Sequence, residues 1–279
     1  MVIPKKRFGQ HFLKDRNIIK KVIDGAGLKE DDVILEVGPG LGDMTTLLAQ
    51  RAKRVIAVEL DRELYSLLAE KFEGDKKVEL ISADILRFDI RGLFEKIGGK
   101  FKVVANLPYN ISTPVLFKFL EDRDCISSMT LMFQKEVADR LVALPDTRNY
   151  GVLSVFAQLY TTPSLLFKIP PYAFTPPPAV DSAVVRLEVL AEPSVKADNE
   201  KFMLKMVKAA FGQRRKTLLN ALSSGLKLPK EDVEAALKRA GIDSSRRGET
   251  LTLSEFRAAS NEITLKTFGH RLTRICTDF

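Results

Sequence analysis

The 279-residue chain contains only two cysteines and two histidines. Cys125 and Cys276 lie far apart, with neither a CxxC nor a Cys/His spacing, so no zinc site, other metal centre or disulfide framework is expected. With His11 and His270 alone, a histidine-based triad or His-rich site has little to be built from. No GKS or GKT sequence is present, which removes the nucleoside-triphosphate loop. No apolar run approaches the ~18 residues of a membrane span, and the opening MVIPKKRFGQ has charge but no apolar core. The expectation is a cytoplasmic protein without membrane attachment.

Hydrophobic content of 45% and charged content of 29% are those of an ordinary globule. This length allows one large domain, or a moderate one and a smaller one. The net charge of +8 is unevenly spread: residues 191–279 carry 17 Lys and Arg against 11 Asp and Glu, whereas residues 1–190 carry 27 against 25. A basic excess in one segment suits a polyanionic partner, although a charge run also serves as a solvated face.

Short apolar runs of β-branched type occur at VILEV (33–37), RVIAVEL (54–60), VELIS (78–82), KVVAN (102–106), SMTLMF (128–133) and SAVVRLEV (182–189). Helically spaced segments alternate with the early ones, among them DMTTLLAQRA, DRELYSLLAEKF and STPVLFKFLE, where Ser112 or Thr113 is the expected cap. This alternation predicts an α/β fold with a mostly parallel sheet, whose ligands bind at the carboxyl ends of the strands. Beyond about residue 190 only helical patterns remain. The expected division is therefore 1–190 for the α/β domain and 191–279 for a smaller all-helical domain that carries most of the basic excess.

The first strand runs into Glu36-Val-Gly38-Pro-Gly40-Leu-Gly42. Glycines there let the backbone turn sharply and admit a ligand, so Gly38 and Gly40 are candidate cofactor contacts. A lone GxGxG also occurs where glycine serves packing only. Glu59, about 20 residues on at the end of the second strand, suits the hydroxyls of a ribose. Asp84, past the third strand, suits an exocyclic adenine amine. A rim of Glu36, Glu59 and Asp84 would repel a pyrophosphate and accept the cationic S-adenosylmethionine.

VVANLPYN (103–110) then stands beside a methyl donor. The lone pair of an adenine N6 amine is delocalised into the ring, so the amine needs to be reshaped and aimed before it attacks a methyl group. Asn106 Oδ1 offers one acceptor for its N–H groups. Pro108 holds Leu107 extended, so that the Leu107 carbonyl offers a second. Tyr109 supplies a flat face for stacking. In FTPPPAVDSAV (174–184) three prolines stiffen an edge that could bring Phe174 to the base's other face, with core packing as the equally good alternative.

Taken together, KRFGQHFL (6–13), EVGPGLG (36–42), VELD (58–61), NLPYNISTP (106–114), QKEVADRL (134–141), FTPPPAVDSAVVRL (174–187) and FGQRRKTLLNAL (211–222) resemble the small-subunit ribosomal RNA adenine dimethyltransferases, the family linked to kasugamycin sensitivity. The resemblance implies a class I, Rossmann-like methyltransferase domain with a helical C-terminal domain. It implies transfer of two methyl groups from S-adenosylmethionine to N6 of each of two adjacent adenosines near the 3′ end of small-subunit rRNA. The implied partner is the 30S subunit or its precursor, met by a monomer with a role in subunit biogenesis. Implied cofactor contacts fall on His11, Leu13, Gly38, Glu59, Asp84 and Asn106. Implied base-handling positions are Asn106, Leu107, Tyr109 and Phe174. Where this chain has His11, the family has Asn about as often.

Arg214, Arg215 and Lys216 open a basic cluster expected to begin a helix and contact phosphates, with Arg246 and Arg247 extending it. Two other functions share parts of this pattern. Dimethylation of large-subunit rRNA uses the same fold and site, but NLPY, FTPPP and the long helical tail favour the small subunit. A non-enzymatic ribosome-assembly factor would retain nucleic-acid binding, yet would have no need of an intact Asn106, Tyr109 and Glu59.

Overall fold

The structure is a computed structural model that describes Lys5, residues 9–213 and residues 215–268. From the amino end run β1 (Phe12–Leu13), α1 (Arg16–Gly25), β2 (Val33–Val37), α2 (Asp43–Arg51), β3 (Arg54–Glu59), α3 (Arg62–Lys71) and β4 (Val78–Ser82). There follow α4 (Ile90–Ile97), β5 (Phe101–Asn106), α5 (Ser112–Glu121), β6 (Ile126–Gln134), α6 (Lys135–Leu141), α7 (Val152–Tyr160), β7 (Thr161–Ile169), β8 (Phe174–Thr175) and β9 (Ser182–Val189). Four helices complete the described residues: α8 (Glu200–Gly212), α9 (Leu218–Leu226), α10 (Lys230–Arg239) and α11 (Leu253–Phe268). None of the described helices is long and apolar enough to cross a membrane.

The sheet has seven strands in the order β4-β3-β2-β5-β6-β9-β7. β4 through β6 run parallel, and β9 pairs antiparallel with both β6 and β7. Ile34, Val55, Val104, Met132 and Val184 turn to one side, where Ile19, Val22 and Ile23 of α1 and Met44 and Leu48 of α2 cover them. Leu35, Ile56 and Val103 are equally buried. Burial on both faces is why these strands read as unbroken apolar runs, and each such side chain contributes roughly 1.5–3 kcal/mol.

Chain order reverses between β2 and β5. β2 leads outward through β3 and β4, and the chain then returns to lay β5 along the other side of β2. Both strands end at the same rim, so the glycine loop and Asn106-Leu107-Pro108-Tyr109 face a common crevice.

The loop glycines do not all serve one purpose. A Cβ on Gly42, which caps α2 at φ 76°, would meet Leu68 Cδ2 at 2.7 Å and Phe72 Cε2 at 2.9 Å. Gly40 would meet the Phe12 ring at 3.0 Å, whereas Gly38 meets nothing closer than 3.9 Å. Thus Gly42 and Gly40 admit protein side chains, whereas at Gly38 a Cβ would make only ordinary contacts with Pro108 and Asn106 beside the crevice.

The chain forms two compact units, Met1–Asp139 with Tyr160–Ala191, and Arg140–Leu159 with Glu192–Phe279. Residues 140–159 therefore group with the second unit, which a composition change near residue 190 does not reveal. In that unit α8, α9 and α11 are capped by flanking side chains. Asn199 and Thr217 accept from the N–H groups of Phe202 and Asn220. Thr252 Oγ1 accepts from Glu255 N while Glu255 reaches back to Thr252 N, completing a capping box. Met203, Met206, Leu218, Leu222, Leu237 and Phe256 fill its core.

Gly42→Ala forces a left-handed Cβ into the packed Leu68 and Phe72 side chains. We expect it to lower stability by about 1–3 kcal/mol in thermal or urea unfolding, and an unchanged midpoint would contradict this packing.

Candidate active site

A cavity of about 320 Å³ opens where β2, β3, β4 and β5 end. Its walls include Val37–Leu41 after β2, Val58–Leu60, Ala83–Leu86, Asn106–Ile111 after β5, and the amino-terminal residues Gly9–Leu13. Of the positions expected from the sequence to contact cofactor, His11, Leu13, Gly38, Gly40, Glu59, Asp84 and Asn106 all line it, as do Leu107 and Tyr109. No lysine or arginine does among the described residues.

Glu59 ends β3 with 6% exposure. Its Oε1 accepts the Asp61 N–H at 2.8 Å, and the Gly40 and Leu60 amides are also directed at the carboxylate. Burial raises its pKa above the ordinary value, against the pull of these N–H groups. Lone pairs remain for hydroxyl donors. Asp84 commits Oδ1 to the Leu86 N–H at 2.9 Å, which turns its loop and leaves Oδ2.

Glu36 corrects the expected rim of three acids. It sits inside β2 with no exposure, and it does not line the cavity. Neither carboxylate oxygen has a hydrogen-bond partner among the described residues, nor has Thr45 Oγ1. Burial pushes its pKa up to about 8, only partly opposed by the nearby Thr45 hydroxyl. The rim acids are Glu59 and Asp84, joined by Asp43, which its sequence context alone does not single out.

At the end of β5 the Asn106 side chain donates from Nδ2 to the His11 carbonyl at 3.0 Å, which turns Oδ1 to the opposite side of the amide. The next carbonyls are unequally used. Pro108 accepts from Ile111 N at 3.1 Å and Tyr109 from Ser112 Oγ at 3.1 Å, while Leu107 accepts nothing among the described residues. Contrary to expectation, neither Ser112 nor Thr113 caps α5: Ser112 fixes the loop before it, and the helix opens from Ile111 without a side-chain cap. Tyr109 is anchored through its hydroxyl to Ser182 Oγ at 2.5 Å, and burial raises its pKa.

His11 stacks on the Tyr109 ring with centroids 5.4 Å apart and planes 26° from parallel. Its Nδ1 donates to the Pro176 carbonyl at 2.7 Å. Phe12 and Leu13 pair antiparallel with Thr175 and Phe174. This pairing draws Phe174 inward: the ring is 2% exposed, lies among the core residues around Leu13, and does not line the cavity. Phe174 is placed as core packing rather than as a second face for a base.

Of the basic cluster, Arg214 lies outside the described residues, as do Lys6, Arg7 and Phe8 of the amino-terminal motif. Arg215 and Lys216 are exposed, but they stand in the turn before the Thr217 cap of α9 rather than on a helix. Arg246 departs from the expected RNA surface. Its guanidinium is held by Glu255 at 2.5 Å and by the Thr250 carbonyl at 2.7 Å, so it braces its own unit.

Because Glu36 is neutral in the folded protein below about pH 8 but titrates near 4.5 when unfolded, folding loses stability as pH rises through that interval. Glu36→Gln removes the ionisation with little change of shape. In thermal unfolding its advantage over the parent should grow between about pH 4.5 and 8 and then level off. A pH-independent difference would mean that the carboxylate is already charged when buried.

Comparison with known proteins places this geometry in a family. The family model described as ribosomal RNA adenine dimethylase matches residues 3–265. A relative from Alkaliphilus oremlandii, named ribosomal RNA small subunit methyltransferase A, is 47% identical over 264 residues, covering 94% of this chain and 92% of its own. The crystal structure of a dimethyladenosine transferase from Plasmodium falciparum superposes with a TM-score of 0.76 at 26% identity, covering 93% of this chain and 98% of its own. That of the 23S rRNA methyltransferase ErmE gives 0.69 at 29% identity, covering 90% and 99%. With a Rossmann-like sheet, a glycine loop at its reversal point and an asparagine amide held beside it, the chain belongs to the ribosomal RNA adenine dimethylase family.

Proposed function

We propose that the protein transfers methyl groups from S-adenosylmethionine to N6 of two adjacent adenosines near the 3′ end of small-subunit rRNA, in the 30S subunit or its precursor. The observation that carries this reading is the Asn106 amide, fixed through Nδ2 so that Oδ1 is turned away from the His11 carbonyl, next to a Leu107 carbonyl that accepts nothing among the described residues. The small-subunit substrate is supported by the name of the Alkaliphilus relative. The likeness to ErmE keeps 23S rRNA as the second reading.

The cavity suits this cofactor. Glu59, Asp84 and Asp43 line it without a balancing lysine or arginine among the described residues, which disfavours a pyrophosphate and favours a ligand carrying positive charge. The buried Glu59 carboxylate retains acceptor capacity for ribose hydroxyls, and Asp84 Oδ2 for an amine. S-adenosylmethionine, when bound, supplies an activated methyl group.

The chain's residues then act on the acceptor. Asn106 Oδ1 and the Leu107 carbonyl each accept one N–H of the target amine, drawing it from planar toward tetrahedral geometry and aiming its lone pair. Both groups are neutral, and neither removes a proton before transfer; the proton departs to solvent afterwards. Tyr109 supplies the stacking surface, opposite His11 or in its place, a contact worth roughly 1–3 kcal/mol. A base brought there leaves its own stack. In the helical unit Arg215 and Lys216 are the described candidates for phosphate contact.

Incubation with labelled methyl donor and unmethylated small subunits, followed by nucleoside mapping, should yield dimethyladenosine at two adjacent positions. Label confined to large-subunit rRNA would select the second reading. Asn106→Ala should abolish transfer while retaining RNA binding, and continued methylation by that variant would contradict the two-acceptor arrangement. Arg215→Ala with Lys216→Ala should weaken RNA binding and make its dependence on log salt shallower by about one unit for each phosphate no longer neutralised. An unchanged slope would remove both residues from the RNA surface.

A further inference from the structure

Asp61 has more partners than a helix cap requires. It precedes α3 and accepts the Glu63 N–H at 3.1 Å, which satisfies the cap. The same carboxylate also accepts Lys5 Nζ at 2.8 Å on Oδ1 and Gln10 Nε2 at 3.2 Å on Oδ2. Its own N–H donates to Glu59 Oε1 at 2.8 Å. The Asp61 side chain is only 4% exposed, and Lys5 is 25% exposed.

Lys5 and Gln10 are also tied to each other, since the Lys5 N–H donates to Gln10 Oε1 at 2.8 Å. Gln10 lies in the run Gly9–Leu13 that walls the cavity, and the same run is held again where the His11 carbonyl accepts from Asn106. One buried carboxylate thus sits between the end of β3 and an amino-terminal strap more than 50 residues away in sequence.

We propose that Asp61 is a positioning residue for cofactor binding: its carboxylate pins Lys5 and Gln10, and with Gln10 the Gly9–Leu13 strap that walls the cavity, while its amide fixes the Glu59 carboxylate. The inference rests on the proposed function for the identity of the cofactor. The electrostatics fit a working ion pair. Burial pushes the Asp61 carboxyl up, but Lys5, Gln10 and the Glu63 N–H outweigh it and hold the group below its usual range, and Asp61 in turn raises Lys5. Glu63, also near Lys5 at 3.1 Å, is mostly exposed and contributes less. A buried carboxylate without its cation would be poorly compensated.

Lys5→Ala removes the ion pair to Asp61, keeps the Gln10 contact and leaves the cap untouched. Asp61→Asn keeps a cap oxygen, asparagine being as good a cap as aspartate, but removes the charge. Calorimetric titration of the full chain with S-adenosylmethionine should show each variant weakened about tenfold, with the double variant no weaker than the worse single one. At saturating donor kcat should be unchanged, so the effect appears in KM. Hydrogen exchange of the Gln10–Leu13 amides, read without cofactor, should be faster in both variants.

If Lys5→Ala binds donor as the parent does and leaves strap exchange unchanged, while Asp61→Asn is impaired, Asp61 is a cap only and the inference fails. Additive losses in the double variant would also overturn it, because they would mean two independent contacts. A parent protein that binds no S-adenosylmethionine would instead contradict the proposed function. In that case faster strap exchange in Lys5→Ala would still support the pinning, and unchanged exchange would refute it.

Discussion

The parallel pairing of β2 with β5, in register from Ile34 opposite Lys102 to Val37 opposite Ala105, sets the positions of the site's parts. Because chain order reverses between these strands, the loops leaving them diverge and open a crevice that neither strand alone could form. Gly38 stands on one side of it and Asn106 on the other, each at the carboxyl end of its strand. The chemistry assigned to Asn106 depends on this placement, since an amide elsewhere on the surface would have no donor methyl to face.

Around that crevice the protein treats its acids differently. Glu36, inside the sheet, has no hydrogen-bond partner among the described residues and is kept neutral by burial up to about pH 8. Glu59, one strand over, is nearly as buried but collects N–H groups from its own loop and from the glycine loop. Asp61, two residues later, is buried with a lysine and stays charged. The three carboxylates differ in what is offered to their oxygens, and this difference decides which can receive a ligand.

The central strands are legible in the sequence because burial on both faces makes them continuous β-branched runs, and SAVVRLEV coincides with β9 residue for residue. β7 is not, because TTPSLLFKI carries Pro163 and alternates irregularly; it is the edge strand, where a missing ladder N–H is tolerated. Most candidate cavity residues are legible because each follows a strand end. Glu36 is misplaced by one step of strand alternation, which adjacency to the glycine loop does not reveal. Phe174, His11 and the Lys5–Asp61 pair depend on contacts across 50 to 165 residues, and such pairings leave no local pattern.

The central claim is that paired oxygens at the end of β5 reshape the acceptor amine. A crystal structure of the protein with a non-reactive analogue of the methyl donor and an adenosine-containing fragment of small-subunit RNA tests it most directly. The account predicts one adenine unstacked beside Tyr109, its N6 within about 3 Å of both Asn106 Oδ1 and the Leu107 carbonyl. An ordered adenine whose N6 meets neither oxygen would contradict it.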